Sequence, residues 1–327
     1  MRTDIYFSPD YGKLYETIEG GKAVCWKYSG AEGEIVHQFI LRKIPEELDH
    51  DWFDIVTPYG YGGPLILNVS EGYSREQLAE RFHKSFEQYC REQNIVSEFV
   101  RFHPILNNAD DFKNVYEISF NRHTRGTNLC GFDDPVTAEF TRGCRKLIRQ
   151  LMNKGVSWKI TESPQNLEVF RKIYYATMDR NSADEYYYFD DTYFKQCQQY
   201  FNSSLLLVEA IYREETIAAG LYFTFDKVIH AHLSGTLPQY LDLSPAYVLK
   251  YCTVIWGKER GYDLIHYGGG KTSDVQDSLY LFKKKFSQNT EFEFFIGKKI
   301  WNREIYDKLC QIHGETKRPE YFPLYRS

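Results

Sequence analysis

The sequence predicts a mixed α/β (α+β) chain made of two halves of the same kind. Three observations carry that expectation. The chain has 327 residues, more than one hydrophobic core usually serves. Its hydrophobic content of 43% suits a packed globular protein and not a disordered one. Each half then reads in one order: strands, a glycine-rich interruption, and helices with apolar residues at helical spacing.

In the first half, "AVCWKY" (23–28) and "VHQFILRKI" (36–44) read as strands. The stretch "DIVTPYGYGGPLIL" (54–67) places glycines beside Tyr59 and Tyr61 before an apolar strand, "GGPLILNV". Residues 74–93 predict a helix: Ser74 and Gln77 form a capping-box pattern, and Leu78, Phe82, Phe86 and Tyr89 share one face. "SEFVRFHPI" (97–105) and 114–129 read as strands. One helix is expected after them, capped by Asp134 with Pro135 at its first position and Gly155 beyond its end. Phe140, Cys144, Leu147 and Leu151 form its buried stripe, while Arg142, Arg145, Lys146, Arg149 and Lys154 cover much of the rest.

The second half continues with "VSWKITE" as a strand, a helix over about 165–180, the aromatic loop "ADEYYYFDD" and a short helix at 193–200. Strands "SLLLVEAIY" and "TIAAGLYFTF" join through the turn "REET" as a hairpin, and "VIHAHLSGT" follows. Ser244 and Pro245 are expected to cap and open the next helix. "YDLIHY" is a strand broken by "GGG"; "DSLYLFKKKFS" is a short helix; a last strand and a last helix close the pattern.

Composition narrows the function. Lys and Arg number 40 against 45 Asp and Glu, so no general nucleic-acid footprint is expected. "MRTDIYFSPDYGK" has no apolar core of a secretory signal, and no run reaches the roughly 20 apolar residues of a membrane span. A cytoplasmic location is expected. The seven cysteines form no CxxC pair and read as reduced thiols. His230 and His232 are the only H-x-H pair; without an acidic or thiolate partner nearby they predict no metal. The 27 tyrosines can line a cleft for a polar ligand or simply pack.

"HLSGTLPQYLDLSPAYVLKY" runs from a strand through a loop into a capped helix, resembling the acyltransferase fold called GNAT. There, helix N-terminal amides hold a pyrophosphate. The loop lacks the R/Q-x-x-G-x-G/A pattern of the coenzyme-A-binding members. A more specific resemblance is to the FemABX family of tandem GNAT-like transferases. "TPYGYGGPL", "TRGCRKLIRQLMNKGVSWKI", "YYATMDRNSADEYYYFDDTYF" and "GYDLIHYGGG…DSLYLFKKKF" carry it, in order, over nearly the whole chain. The resemblance implies two GNAT-like acyltransferase domains in tandem, over 1–133 and 134–314, with 315–327 returning to the first. It implies transfer of an aminoacyl group from aminoacyl-tRNA to an amine of a cell-wall peptidoglycan precursor, with no tightly bound cofactor. Two rivals stand beside it: an acyl-CoA-dependent N-acyltransferase acting on a nucleotide sugar or cell-surface polysaccharide, and a non-catalytic GNAT pair that binds a ligand. The sequence carries no mark of oligomeric state.

The expected site residues follow. Lys283 matches the family's F-K lysine, a binder of phosphate or carboxylate; Phe282 stacks on a base or fills the core. Gly269 lies in the glycine break. Arg180 ends the helix before the aromatic loop, where Tyr187 and Tyr188 contact substrate, or else it faces the helix dipole. Tyr59, Tyr61 and Gly62 form the first-domain motif, either against a sugar or base or as a tight turn. His103, where relatives often carry an acid, is a proton acceptor or a strand-end residue, and Arg101 beside it binds a phosphate. His232 and Ser234 lie on the strand that faces the acyl donor, on one face by alternation. The basic helix follows a tRNA backbone or is a solvated face.

Overall fold

The computed structural model describes residues 3–45, 50–314 and 318–327. The chain divides into two compact units: Met1–Asn121 with Glu293–Ser327, and Arg122–Phe292. The sequence put its first boundary at 133/134; the division falls instead inside a strand, because Glu117–Asn128 is one continuous strand whose two ends fall in different units. The last strand and last helix, expected with the second half, belong to the first unit.

In the first unit, β1 (Lys22–Gly30) and β2 (Gly33–Lys43) form an antiparallel hairpin. The other edge of β2 takes two strands in succession. β3 (Phe53–Val56), which the sequence did not signal, pairs with Ile40–Lys43; β4 (Gly63–Val69) pairs with Gly33–Gln38. The aromatic glycine stretch is thus a loop that interrupts what is geometrically one strand. β5 (Ile95–Arg101) runs parallel to β3 and antiparallel to β12 (Glu291–Ile300). Two short helices precede the hairpin, α1 (Pro9–Leu14) and α2 (Glu16–Glu19).

The amphipathic helix α3 (Arg75–Glu92) starts at the predicted capping box, with both Ser74 and Gln77 bonds formed, worth about 1 kcal/mol. It buries Leu78, Phe82 and Phe86 against Phe39, Val100 and Phe112; each such ring contributes about 1.5–3 kcal/mol by leaving water. Glu98 is buried in this core, where His37, Tyr116 and the Trp301 indole all engage its carboxylate. At the chain's end, α10 (Arg303–His313) packs Ile305, Tyr306 and Leu309 with Tyr325. The Tyr325 hydroxyl bonds Ser97 at 2.7 Å, and the buried Asp54 carboxylate holds Arg42 and Arg326.

The second unit is a sheet in the order β6-β11-β10-β9-β8-β7: β6 (Glu117–Asn128), β7 (Ser157–Glu162), β8 (Leu205–Tyr212), β9 (Glu215–Phe225), β10 (Val228–Thr236) and β11 (Leu264–Gly269). The predicted β8–β9 hairpin turns on Arg213 and Glu214, both at positive φ, the geometry that suits strand twist. The single helix expected over 135–154 is two: α4 (Pro135–Glu139), capped by Asp134, and α5 (Arg142–Asn153), capped by Thr141. The break keeps Phe140 and Glu139 buried while giving Thr141 extended backbone. The Glu139 carboxylate accepts from the Asn128 and Asn289 amides. Gly155 ends the helix at φ +90° as expected. α6 (Glu168–Arg180) and α7 (Asp191–Phe201) follow, then α8 (Ala246–Glu259) and α9 (Ser278–Lys284). Leu129, Phe140, Ile148, Val208, Val254 and Phe286 belong to this unit's core. Among the described residues no helix is long and apolar enough to cross a membrane.

Candidate active site

β10 and β11 run parallel but pair only over Val228–His230 with Leu264–His266. Beyond that, β10 continues along β9 to Thr236 and β11 along β6 to Gly269. The two strands part, and a stretch of each facing edge leaves the ladder. Each carries a register shift where they separate, between Ala231 and Leu233 and between His266 and Gly268; bulges of this kind re-aim side chains. Gly268 sits at φ +72°, a conformation that a side chain would strain.

The β10 bulge corrects the alternation argument. His232 is the extra residue, and its ring meets Tyr193 of α7, with 2.5 Å between the hydroxyl and Nε2. Past it, a Cβ on Gly235 would lie 2.6 Å from the Ile173 carbonyl of α6. Gly235 has taken the helix-facing parity, so exposed Ser234 turns to the opposite face from His232. Burial, aided by nearby His230, pushes the His232 imidazole down to about 3. It is neutral near pH 7 and a weak proton acceptor, already engaged with Tyr193.

The glycine break after β11 is bound on its carbonyls. Lys283 of α9 donates to Gly269 O at 2.6 Å, and Arg122 to Gly270 O and Lys271 O at 2.8 and 2.9 Å. Asp277 accepts from the amides of Lys271, Thr272, Leu279 and Tyr280, which wraps the loop and caps α9 at once. A Cβ on Gly270 would lie 2.5 Å from the Asp277 carboxylate. Burial pushes the Lys283 ammonium down to about 8; Asp277 opposes this and Arg122 adds to it. Phe282 packs edge-on against Tyr247 and Phe286, at the rim of the core.

α8 begins differently from the expectation. Ser244 is left-handed at φ 50° and does not cap; Pro245 stands at the N-cap without a side-chain bond. The sequence reading also passed over Lys250. It is 7% exposed, and its ammonium lies over the Tyr267 ring at 4.5 Å and the Tyr222 ring at 5.4 Å. Burial and the Lys283 charge push it down to about 7. The available signal was its isolation: no other charge occurs between 245 and 257.

On the other face, exposed Arg180 donates to Thr236 O at 2.9 Å, pinning the end of α6 to the end of β10. Tyr187 and Tyr188 are each 39% exposed. Their loop is held by the Tyr174 hydroxyl on Tyr187 O and by the Tyr188 hydroxyl on Asp179.

The first-unit residues are tied into their own fold. Tyr61 is buried edge-on to Tyr6 and Phe294. The Tyr11 hydroxyl donates to Tyr59 O at 2.9 Å. Gly62 donates its amide to Arg101 O and accepts from Asn108 at 2.9 Å. Arg101 donates to Thr57 O and lies over Phe99. His103 is 1% exposed. Its Nδ1 accepts from the Leu106 amide at 3.2 Å and its Nε2 faces Asp4 at 3.4 Å, so the nitrogen that a proton acceptor needs is occupied by the chain itself.

Residues 139–276 match the family model of the acetyltransferase (GNAT) domain. The whole chain is similar in structure to FemX: TM-score 0.70 at 12% identity, over 93% of this chain and 94% of that one. The chain has a FemABX-like GNAT fold. Two further structures share it: the C-terminal domain of a putative lysylphosphatidylglycerol synthetase from Agrobacterium fabrum (TM-score 0.58, 12% identity, 91% and 88% covered), and L-PGS from Bacillus licheniformis (0.55, 13%, 91% and 93%). No curated protein matches the chain in sequence. In this FemABX-like GNAT fold, the parted β10 and β11, the start of α8 and the Lys283-bound break form one neighbourhood within the second unit.

Proposed function

We propose that the protein is an acyltransferase that moves an aminoacyl group from aminoacyl-tRNA to an amine of a cell-wall peptidoglycan precursor in the cytoplasm. The observation that carries this is the FemX likeness across 93% of the chain, joined to a strand pair that opens beside buried Lys250 and half-buried Lys283. The acceptor amine attacks the ester carbonyl directly, the carbonyl oxygen becomes an oxyanion, and the tRNA hydroxyl leaves with a proton. No covalent enzyme intermediate is needed. Lys283, already aimed at the break, supplies positive charge near the developing oxyanion or a substrate anion. Arg180, Tyr187 and Tyr188 line the approach on the α6 side, and Gly269 and Phe282 the approach on the α9 side.

A second reading is favoured by the GNAT match over 139–276: transfer from acyl-CoA to an amine of a nucleotide sugar or polysaccharide intermediate. The start of α8, with Pro245 in place of a glycine loop, argues against it. Incubation with charged tRNA and, separately, with acyl-CoA decides between them. Transfer to peptidoglycan-precursor amines from charged tRNA is expected. Transfer from CoA alone overturns the first reading, and no transfer from either overturns both.

A further inference from the structure

The second turn of α8 carries a charge that the protein leaves uncompensated. Among the described residues, Lys250 has no hydrogen bond or ion pair; its ammonium has only the faces of Tyr267 and Tyr222 beneath it. Taking a cation out of water is costly, and the attraction of a ring face returns only part of that cost. The titratable groups around it make matters worse or leave them unchanged. Lys283 repels it, and Cys252 is held as a thiol by burial at about 12. Both tyrosines are kept neutral by burial. The Tyr222 hydroxyl is itself buried beside Thr253 without a well-formed hydrogen bond, whereas that of Tyr267 is satisfied by Thr127 at 2.6 Å.

We propose that Lys250, with the Tyr222 hydroxyl and Lys283 beside it, is an anion subsite that receives a carboxylate of the substrate. The location fits a ligand. Tyr222 of β9 and Tyr267 of β11 stand on either side of β10, and Tyr267 is the residue at which β11 leaves its pairing with β10. The chemistry favours a carboxylate. With Lys283 already donating to Gly269 O, Lys250 is the one of these two ammonium groups left without an acceptor among the described residues, and the aromatic faces beside it match a flat, singly charged group, whereas a phosphate dianion brings a second charge and more desolvation. The anion supplies the countercharge that the fold omits, so its binding draws a proton onto Lys250. Affinity is therefore full below about pH 7 and falls about tenfold per pH unit above it.

The subsite rests on the transferase reading only in calling the ligand a substrate; binding is measured with no acyl donor present. The full-length protein is titrated calorimetrically with N-acetylglycine and with inorganic phosphate at pH 6.5 and 8.5, in buffers of different ionisation enthalpy. The expected result is N-acetylglycine binding with proton uptake at pH 8.5 and at least tenfold weaker affinity there than at pH 6.5. Lys250→Met should lose at least tenfold in affinity at pH 6.5. A second measurement uses the unmutated chain: NMR of reductively dimethylated lysines, in which N-acetylglycine should raise the Lys250 titration midpoint. Equal binding by Lys250→Met, binding without proton uptake, an unmoved midpoint, or a preference for phosphate overturns the proposal. If N-acetylglycine binds as expected while no transfer is detected from any donor, the transferase reading fails and the subsite stands.

Discussion

The two glycine-rich breaks, at 57–63 and 268–274, look alike in sequence and differ in what occupies their backbones. The first is clasped by two neutral side chains and one cation of its own unit: Tyr11 on Tyr59 O, Asn108 on Gly62 O, and Arg101 on Thr57 O with its charge over the Phe99 ring. Tyr6 packs so closely that a Cβ on Gly60 would lie 2.5 Å from its ring. The second is held by cations on successive carbonyls, with a further buried cation nearby that has no partner at all. Glycine and tyrosine density marks where backbones come close; the two breaks differ in how much positive charge gathers beside them.

The contrast can be broken most forcefully at Gly63. It stands at φ +81°, and a Cβ there would lie 2.8 Å from Val100. Gly63→Ala should lower unfolding free energy by about 2–4 kcal/mol through backbone strain and overpacking, measured by urea denaturation, with ligand affinity at the second break unchanged. The reverse is expected of Lys283→Ala. Transfer should fall about 100-fold, the scale of losing one oxyanion-directed donor, while the melting temperature holds. A large loss of stability there would erase the distinction.

Lys250→Met sharpens the contrast with its sign. The Lys250 pKa is near 7 in the fold and ordinary, near 10.5, in the unfolded chain. Below pH 7 both states hold the proton and the folded state bears the full penalty; between about 7 and 10.5 only the unfolded chain holds it, so stability rises with pH. The variant should therefore be more stable than the parent at pH 7, by about 1–2 kcal/mol, and the gain should shrink toward pH 10. Equal stability at both pH values would show that the charge is compensated. The smallest effect belongs to Tyr11→Phe, which removes one hydrogen bond to the first break and should cost about 1 kcal/mol without altering transfer.

Much of the framework was legible because local chemistry agrees with the fold. The capping box at Ser74, the Arg213–Glu214 turn, Gly155 after its helix and the short helix within "DSLYLFKKKFS" all follow from spacing alone. What escaped depends on partners distant in sequence. β3 is four residues long and is defined by pairing with β2 and β5. The break at Phe140–Thr141 answers to Glu139 reaching Asn289. The bulge at His232 inserts one residue into a strand whose alternation looks regular, and it alone separates His232 from Ser234. Lys250 was hidden for a simpler reason: a lysine in a helix reads as solvated until the rings beneath it are seen.

The first unit is assembled from both ends of the chain, with Ile296–Ile300 of β12 closing the edge of β5 and Trp301 completing the shell of Glu98. During synthesis on the ribosome, its first 121 residues emerge without those partners, so β5 waits with an open edge and a buried-to-be carboxylate still short of a donor. The uninterrupted stretch 122–292 has its own sheet and is free to close first. Translation order therefore favours the lysine-bearing unit as the earlier-formed piece, and leaves the sheet of the other incomplete until Glu293–Ser327 has been made.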